Sequence, residues 1–377
     1  MSGIYLHIPF CKQACHYCDF HFSTSLKKKE ALVAMMAREM VLRNHWMGDQ
    51  TVIETIYFGG GTPSLLTIPE LLFLIETIYQ HFEVVDQPEI TLEANPDDLT
   101  PDYLHALAQT PVNRLSIGVQ SFFEEDLQLM NRAHNAQEAL ACLQLATTLF
   151  DNITLDLIYG IPGLTHEKWL ANIQTALDLG VPHISSYALT VEPKTALHSF
   201  VQKGIIPNPD DGQAQEQFLL LMDQLEAAGF VHYELSNFGK EGFFSKNNSA
   251  YWLGKPYIGI GPAAHSFNGT QRGWNISNNT KYIQALEAHE LPIELETLSL
   301  TDRYNEYVMT GLRTIWGVDL HRLETEFGPR FKTYFLQQAE AHLEDHLLFI
   351  DGDIVRTTRK GKFLSDGIAS DLFLLNL

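Results

Sequence analysis

Short apolar runs recur through the first two-thirds of the chain, at Ile4–Ile8, Ile53–Phe58, Ile90–Ala94, Arg114–Val119, Ile153–Ile158 and His183–Ala188. Runs of this length predict buried strands. Between several of them the apolar positions return at helical spacing instead, most clearly over Glu30–Arg43, Pro69–His81, Gln137–Phe150 and Glu167–Leu179. Strand–helix alternation places strands parallel, joined by right-handed crossovers. Six such units predict an α/β fold built as a partial (β/α)6 barrel, since a closed barrel needs eight. In barrels of this kind the loops that follow the strands carry the chemistry.

The pattern then loosens. Val191–Asp211, rich in Pro, Lys and Asp, reads as a loop, Gly212–Ala228 as a helix, and Gly239–Pro262 as a long functional loop or short hairpin. From about Thr301 helices near Asp302–Thr314, Leu320–Glu326 and Arg330–Asp345 precede two apolar stretches, Leu347–Phe349 and Ile354–Thr357, flanking Asp351-Gly352-Asp353. That order predicts a small C-terminal winged-helix-like α+β domain. The chain is thus divided into a barrel (1–240), a connecting segment (241–300) and this C-terminal domain (301–377). The tail holds 9 Lys+Arg against 12 Asp+Glu, so it reads as a packing domain and not as a reader of DNA, which wants a basic recognition helix.

Composition narrows the function. With 25 Lys+Arg against 46 Asp+Glu, the net charge of -21 opposes binding to nucleic acid. No apolar run approaches the roughly 18 residues of a membrane span. The opening residues MSGIYLHIPFCK lack a basic stretch ahead of an apolar one, so a cytoplasmic location is expected. Of the four cysteines, three fall within eight residues, and Cys142 sits in a helical pattern that marks it as core. Such clustering points to metal and not to a disulfide framework.

The motif is Cys11-x3-Cys15-x2-Cys18. Three thiolates can hold three irons of a 4Fe–4S cubane, which otherwise takes four cysteines, and leave the fourth iron open to a small ligand. The amino and carboxylate groups of S-adenosylmethionine (SAM) suit that position. Zinc is the rival, with His7 or His16 as the fourth ligand, but no second cysteine pair exists. The strand ends supply matching groups. Gly59-Gly60-Gly61-Thr62-Pro63 lets the backbone approach a ligand. Glu93 suits a ribose hydroxyl or an amine, and Arg132 a carboxylate. Gln120 and Asp156 suit ribose hydroxyls. Singly, each is as readily a structural polar group. Together they describe a site.

Tyr5-x5-Cys11-x3-Cys15-x-Tyr17-Cys18 with Gly59-Gly60-Gly61-Thr62-Pro63-Ser64 resembles radical SAM enzymes. Arg114-Leu115-Ser116-Ile117-Gly118-Val119-Gln120-Ser121-Phe122, the stretch from Asp156 to Gly163, and Gly311-Leu312-Arg313 with Gly317-Val318-Asp319-Leu320 extend the likeness to the oxygen-independent coproporphyrinogen III oxidase superfamily, over essentially the whole chain. The resemblance implies Cys11, Cys15 and Cys18 as cluster ligands. It implies Tyr5, Tyr17, Gly60, Gly61, Thr62, Glu93, Gln120, Arg132, Asp156 and Ala188 as SAM-pocket positions. That superfamily has an oxidase branch, which decarboxylates coproporphyrinogen III, and a haem-chaperone branch, which delivers haem to haemoproteins. The oxidase pattern carries another cysteine where this chain has Phe20, and an extension before its tyrosine where Tyr5 stands almost at the start. Both differences favour the chaperone branch, with the oxidase as the alternative. The chaperone branch also has a His-Asn-x-x-Tyr-Trp segment for haem. Here Asn248, Tyr251 and Trp252 match, while Asn247 stands where histidine is expected. A carboxamide is a poor ligand for haem iron, so Asn247→His is expected to tighten haemin binding. His265 is a nearby substitute ligand, more readily read as structural.

Overall fold

The computed structural model describes residues 2–48 and 51–375. All six strands expected from the apolar runs are present: β1 (Gly3–Ile8), β2 (Val52–Gly60), β3 (Glu83–Ala94), β4 (Arg114–Gln120), β5 (Ile153–Tyr159) and β6 (His183–Ala188). They lie side by side in chain order, all parallel. Helices between them cover the outer face, including Lys29–Leu42, Ile68–His81, Ala136–Leu149 and His166–Asp178. Two of these begin with reciprocal caps, Thr67 with Glu70 and Asn135 with Glu138, which satisfy otherwise orphaned N–H groups and fix where each crossover starts.

The hairpin β7 (Val231–Glu234) and β8 (Asn237–Gly239) extends the sheet beyond β6. On the other side β9 (Tyr257–Ile260) pairs parallel with β1. Antiparallel β10 (His265–Phe267), β11 (Gln271–Asn275) and β12 (Ile293–Thr297) follow. Two stretches read as loops from sequence are partly helical: Ala196–Gln202, begun by the Thr195 hydroxyl accepting from the His198 N–H, and Lys246–Trp252. The second helix has a local cap, the Ser245 hydroxyl accepting from the Asn248 N–H at 3.2 Å, and a remote one. The Glu89 carboxylate on β3 accepts from the N–H groups of Lys246 and Asn247, each at 3.1 Å, and so caps the helix. It sits against the barrel floor.

Strand alternation divides the side chains into two sets. Leu115, Ile117, Leu155, Leu157 and Ile184 face the apolar core with the helices. The alternate residues turn into the barrel and are polar. Register carries one row through Tyr5, Tyr57, Thr91 and Arg114, and the next through Glu93, Ser116, Thr154 and His183. Here the barrel has a polar lumen.

The C-terminal domain has its own core around Tyr304, Val308, Leu312, Phe335 and Val355. Helices Leu300–Leu312 and Pro329–Glu344 pack on a three-stranded sheet of β13 (Val318–Asp319), β14 (Leu348–Asp351) and β15 (Ile354–Thr357), ordered β13-β15-β14. Among the described residues no helix is long and apolar enough to cross a membrane.

Candidate functional site

The carboxyl ends of the six parallel strands open into one cavity of about 450 Å³. The Cys11–Cys18 loop leaves the end of β1 and folds over it. Several bonds hold that loop independently of the thiols. The Cys11 N–H donates to the Ser23 carbonyl at 3.1 Å, Gln13 Nε2 donates to Asn131 Oδ1 at 2.8 Å, and Asn131 Nδ2 donates to the Ala14 carbonyl at 2.7 Å. Cys11, Cys15 and Cys18 all line the cavity. Among the described residues no three His, Cys, Asp or Glu side chains are gathered to hold one metal ion. A cubane asks instead for three thiolates on three different irons.

The two histidines weighed as zinc ligands are committed elsewhere. His16 Nδ1 donates to the Leu129 carbonyl at 2.8 Å. His7 Nε2 donates to the His21 carbonyl at 3.0 Å, and its Nδ1 accepts from the Tyr5 hydroxyl at 3.2 Å. Burial lowers the His7 pKa to about 4, which keeps the ring neutral.

The glycine turn forms the cavity floor. Gly60 holds φ at +105°, which an L side chain resists, and its N–H donates to Glu93 Oε2 at 3.1 Å. Tyr57 donates to the other Glu93 oxygen at 2.8 Å, so the carboxylate is fixed at the end of β3. Thr62 is buried beside Cys11 and accepts from Asn95 Nδ2 at 3.3 Å.

Arg132 is anchored twice through one nitrogen, to Asn95 Oδ1 and to the Gly118 carbonyl, each at 2.7 Å. Its other terminal nitrogen lies 3.3 Å from Cys15 Sγ and 3.5 Å from the Tyr17 hydroxyl. Its Nε is buried without a partner, a donor left for a ligand. A side chain at Gly118 would meet Gln120 Nε2 at 2.8 Å and the Arg132 guanidinium at 3.3 Å, so the bare Cα there makes room for both groups.

Asp156 projects from β5 beside Gly118, its register partner on β4, with Ser116 Oγ donating to it at 3.4 Å. Burial, with the Glu93 carboxylate next, raises its pKa to about 8. The Glu93 carboxyl is likewise pushed up by burial. A raised carboxyl keeps its proton on folding, so the ligand-free protein loses stability as pH climbs from the unfolded value near 4 through about 8. Asp156→Asn is therefore expected to flatten the fall in melting temperature between pH 6 and 8. Parallel wild-type and variant melting curves check this, and identical slopes would refute it.

Of the residues expected from sequence, Cys11, Cys15, Cys18, Tyr17, Gly60, Gly61, Thr62, Glu93, Gln120, Arg132, Asp156 and Ala188 share this cavity. Tyr5 lies beneath it, stacked on Tyr57 at 6.1 Å under Gly59. The expected haem segment lies on one helix, Lys246–Trp252, with the Tyr251 hydroxyl beside the Asn247 side chain. Asn248 faces a small polar chamber in the lumen, whereas Tyr251 and Trp252 line a separate groove against the C-terminal domain. Asn247 is 2 % exposed in the barrel floor, where its Oδ1 accepts from Thr55 Oγ1 at 3.0 Å. His265 lies on β10 near Trp274, with ring centroids 6.3 Å apart, and does not line the cavity. Asn95 was missed, although it follows Glu93 by two positions. So was the lumen set of Arg114, His183 and Tyr187, whose signal is a polar residue at every second strand position.

This fold and rim define a radical SAM protein. The family profile "Radical SAM superfamily" matches residues 5–176, and "HemN C-terminal domain" matches residues 298–364. The chain is 35% identical to the heme chaperone HemW of Bacillus subtilis, covering 98% of each protein. It is 34% identical to that of Mycobacterium tuberculosis, over 98% of this chain and 94% of that one. The chain belongs to the HemW family of radical SAM haem chaperones. Coproporphyrinogen III oxidase (HemN) from Escherichia coli shares the fold, with a TM-score of 0.85 over 99% of this chain and 90% of that one, at 22% identity.

Proposed function

We propose that this protein binds haem and passes it to haemoproteins, and that it carries a 4Fe–4S cluster on Cys11, Cys15 and Cys18 with SAM in the adjoining cavity. One observation carries the cofactor reading: three thiols and the polar ends of the parallel strands converge on a single rim. The haem reading comes from the HemW relatives. A reduced cluster supplies a low-potential electron that can enter the SAM sulfonium. The chain's own part is to hold and orient. Thr62 stands beside Cys11 and Arg132 beside Cys15, where each steadies a thiolate. The unpartnered Arg132 Nε suits a carboxylate, and Glu93 and Asp156 suit the amine and hydroxyl groups of a cationic nucleoside.

Haemin titration of the cluster-reconstituted protein, followed by absorbance, tests the haem reading. Saturable binding near one equivalent is expected, and its absence would end that reading. The gain expected from Asn247→His is revised by the fold. A buried imidazole against Thr55 cannot reach a haem outside the barrel, so the variant should match wild type within about twofold while losing stability through overpacking.

A further inference from the structure

The twelve-stranded sheet has two ends, and among the described residues only one of them is closed. At the β7 end the C-terminal domain continues the ladder: Thr314 bridges to Glu234, and the Ile315 N–H donates to the Tyr233 carbonyl at 3.0 Å. At the other end β12 pairs with β11 alone. Its residues Glu294, Leu295, Glu296 and Thr297 are all exposed. An edge of this kind offers unpaired N–H and C=O groups to any extended chain.

Register decides which groups are free. The Ile276 N–H donates to the Pro292 carbonyl at 2.9 Å, and the Leu298 N–H to the Thr270 carbonyl at 3.0 Å. The Asn275 N–H donates instead to the Ala264 carbonyl, on the β10 side, at 2.9 Å. In an antiparallel ladder successive residues bond to alternate sides. The bonded pairs of β11 and β12 are therefore Arg272 with Glu296 and Trp274 with Glu294. The backbone groups of Ile293, Leu295 and Thr297 point outward.

The side chains sort by the same alternation. Ile293, Leu295 and Thr297 share one face, with Leu295 53 % exposed. Glu294 and Glu296 share the other. Arg272, the only cation in the two strands, is committed to Glu306. Glu294 takes a neutral bond, from the Trp274 indole N–H at 3.2 Å. The edge thus presents an acidic face and an apolar face on either side of a free row of backbone groups. A second copy of this chain is a poor occupant. Two β12 strands paired about Leu295 would set Glu294 of each opposite Glu296 of the other, and like charges directly opposed are destabilising.

We propose that the β12 edge docks an extended segment of a partner protein in which Lys or Arg alternates with apolar residues. The segment continues the antiparallel run β10–β12. Its apolar residues exchange backbone bonds with Ile293, Leu295 and Thr297 and cover Leu295, while its cations stand opposite Glu294 and Glu296. So short a strand buries too little surface for a permanent complex, and the contact is transient.

The probe is a fluorescently labelled, end-capped peptide of five Lys-Val repeats, titrated into the full chain by anisotropy at about 0.15 M salt. Two peptides of equal length serve as contrasts. One is N-methylated at every valine, which keeps the charge and removes the donors that would meet β12. The other has Glu-Val repeats, which reverse the charge. Wild type should bind the Lys-Val peptide saturably and each contrast at least tenfold more weakly. In the complex, residue-resolved amide exchange at Ile293, Leu295 and Thr297 should slow at least tenfold. Leu295→Pro removes an outward N–H and no ladder bond, so it should fold and weaken the Lys-Val peptide at least tenfold. Should that variant misfold, the methylated peptide and the exchange pattern on wild type still decide. Equal binding of the methylated peptide would show attraction to acidic surface at large and overturn strand addition. Equal binding of the Glu-Val peptide would overturn the basic partner. Protection elsewhere than β12, or no saturable binding, would overturn the site.

Discussion

Replacing Cys11, Cys15 and Cys18 together by alanine should reduce iron and sulfide retained after anaerobic reconstitution to background, with loss of the cluster's visible absorption. Each thiolate would hold a different iron, so any single replacement should remove most of the cluster as well. The fold should survive. The loop is tied down by the Cys11 N–H on Ser23, by the Gln13–Asn131 and Asn131–Ala14 bonds, and by His16 on Leu129, none of which uses a thiol. Burial pushes the Cys18 thiol up to about 11 and raises Cys11, so in the absence of metal both carry protons at neutral pH. Metal uptake then releases those protons and should improve with rising pH. Cys142, buried in the Ala136–Leu149 helix among Ala139, Leu143 and Ala146, is the internal control. Cys142→Ala should leave iron content unchanged. Iron and sulfide at wild-type levels in the triple variant would overturn the cluster assignment.

How much of this could be read from the chain depends on the range of the interactions involved. The six parallel strands are legible because each is a local apolar run, and the rim is legible because chemistry gathers where those runs stop. Glu93, Gln120 and Asp156 are found that way. The lumen is half legible. Arg114 and Ser116, Thr154 and Asp156, and His183 and Ser185 alternate with Leu115, Ile117, Leu155 and Ile184, which is period-two patterning with a polar inner face. Read as plain apolar strands, these segments hide it. The Lys246–Trp252 helix has a local cap in Ser245, but the two N–H groups ahead of Asn248 are satisfied by Glu89, more than 150 residues earlier in the chain. Asn247 could not be placed without that helix, which turns it into the floor beside the Tyr251 hydroxyl and leaves Trp252 in the outer groove. The groove is the least legible feature. Its lining residues Tyr257, Tyr307 and Arg322 lie on separate elements, and only the docking of the C-terminal domain makes them neighbours. That docking uses a bridge between Glu234 and Thr314 and a bond from the Lys362 amine to His232 at 2.9 Å.

The glycine floor gives the second large expected effect. Gly61 donates its N–H to the Ile8 carbonyl at 3.0 Å, which presses the turn after β2 against the chain leaving β1. A Cβ added there would meet the Phe10 carbonyl at 2.7 Å, the Ile8 carbonyl at 2.8 Å and the Phe10 nitrogen at 2.9 Å. All three are backbone atoms, so no side chain can swing away. The strain must move one segment, and Phe10 leads directly into Cys11. Gly61→Ala should therefore cost about 1–3 kcal/mol of stability, the range of an overpacked core position. It should also shift Cys11 away from Thr62. In the cluster-loaded protein, SAM binding measured by equilibrium dialysis should weaken at least tenfold. Gly367→Ala supplies the contrast. That glycine lies in the Ser365–Asp371 helix with open space where a Cβ would go, so alanine there should stabilise by roughly 0.5–1 kcal/mol and leave SAM binding alone. A Gly61→Ala protein that melts like wild type and binds SAM equally well would mean that the turn does not shape the pocket. Stability lost without loss of SAM affinity would confine the role of Gly61 to packing and remove the link between the floor and the cysteine loop.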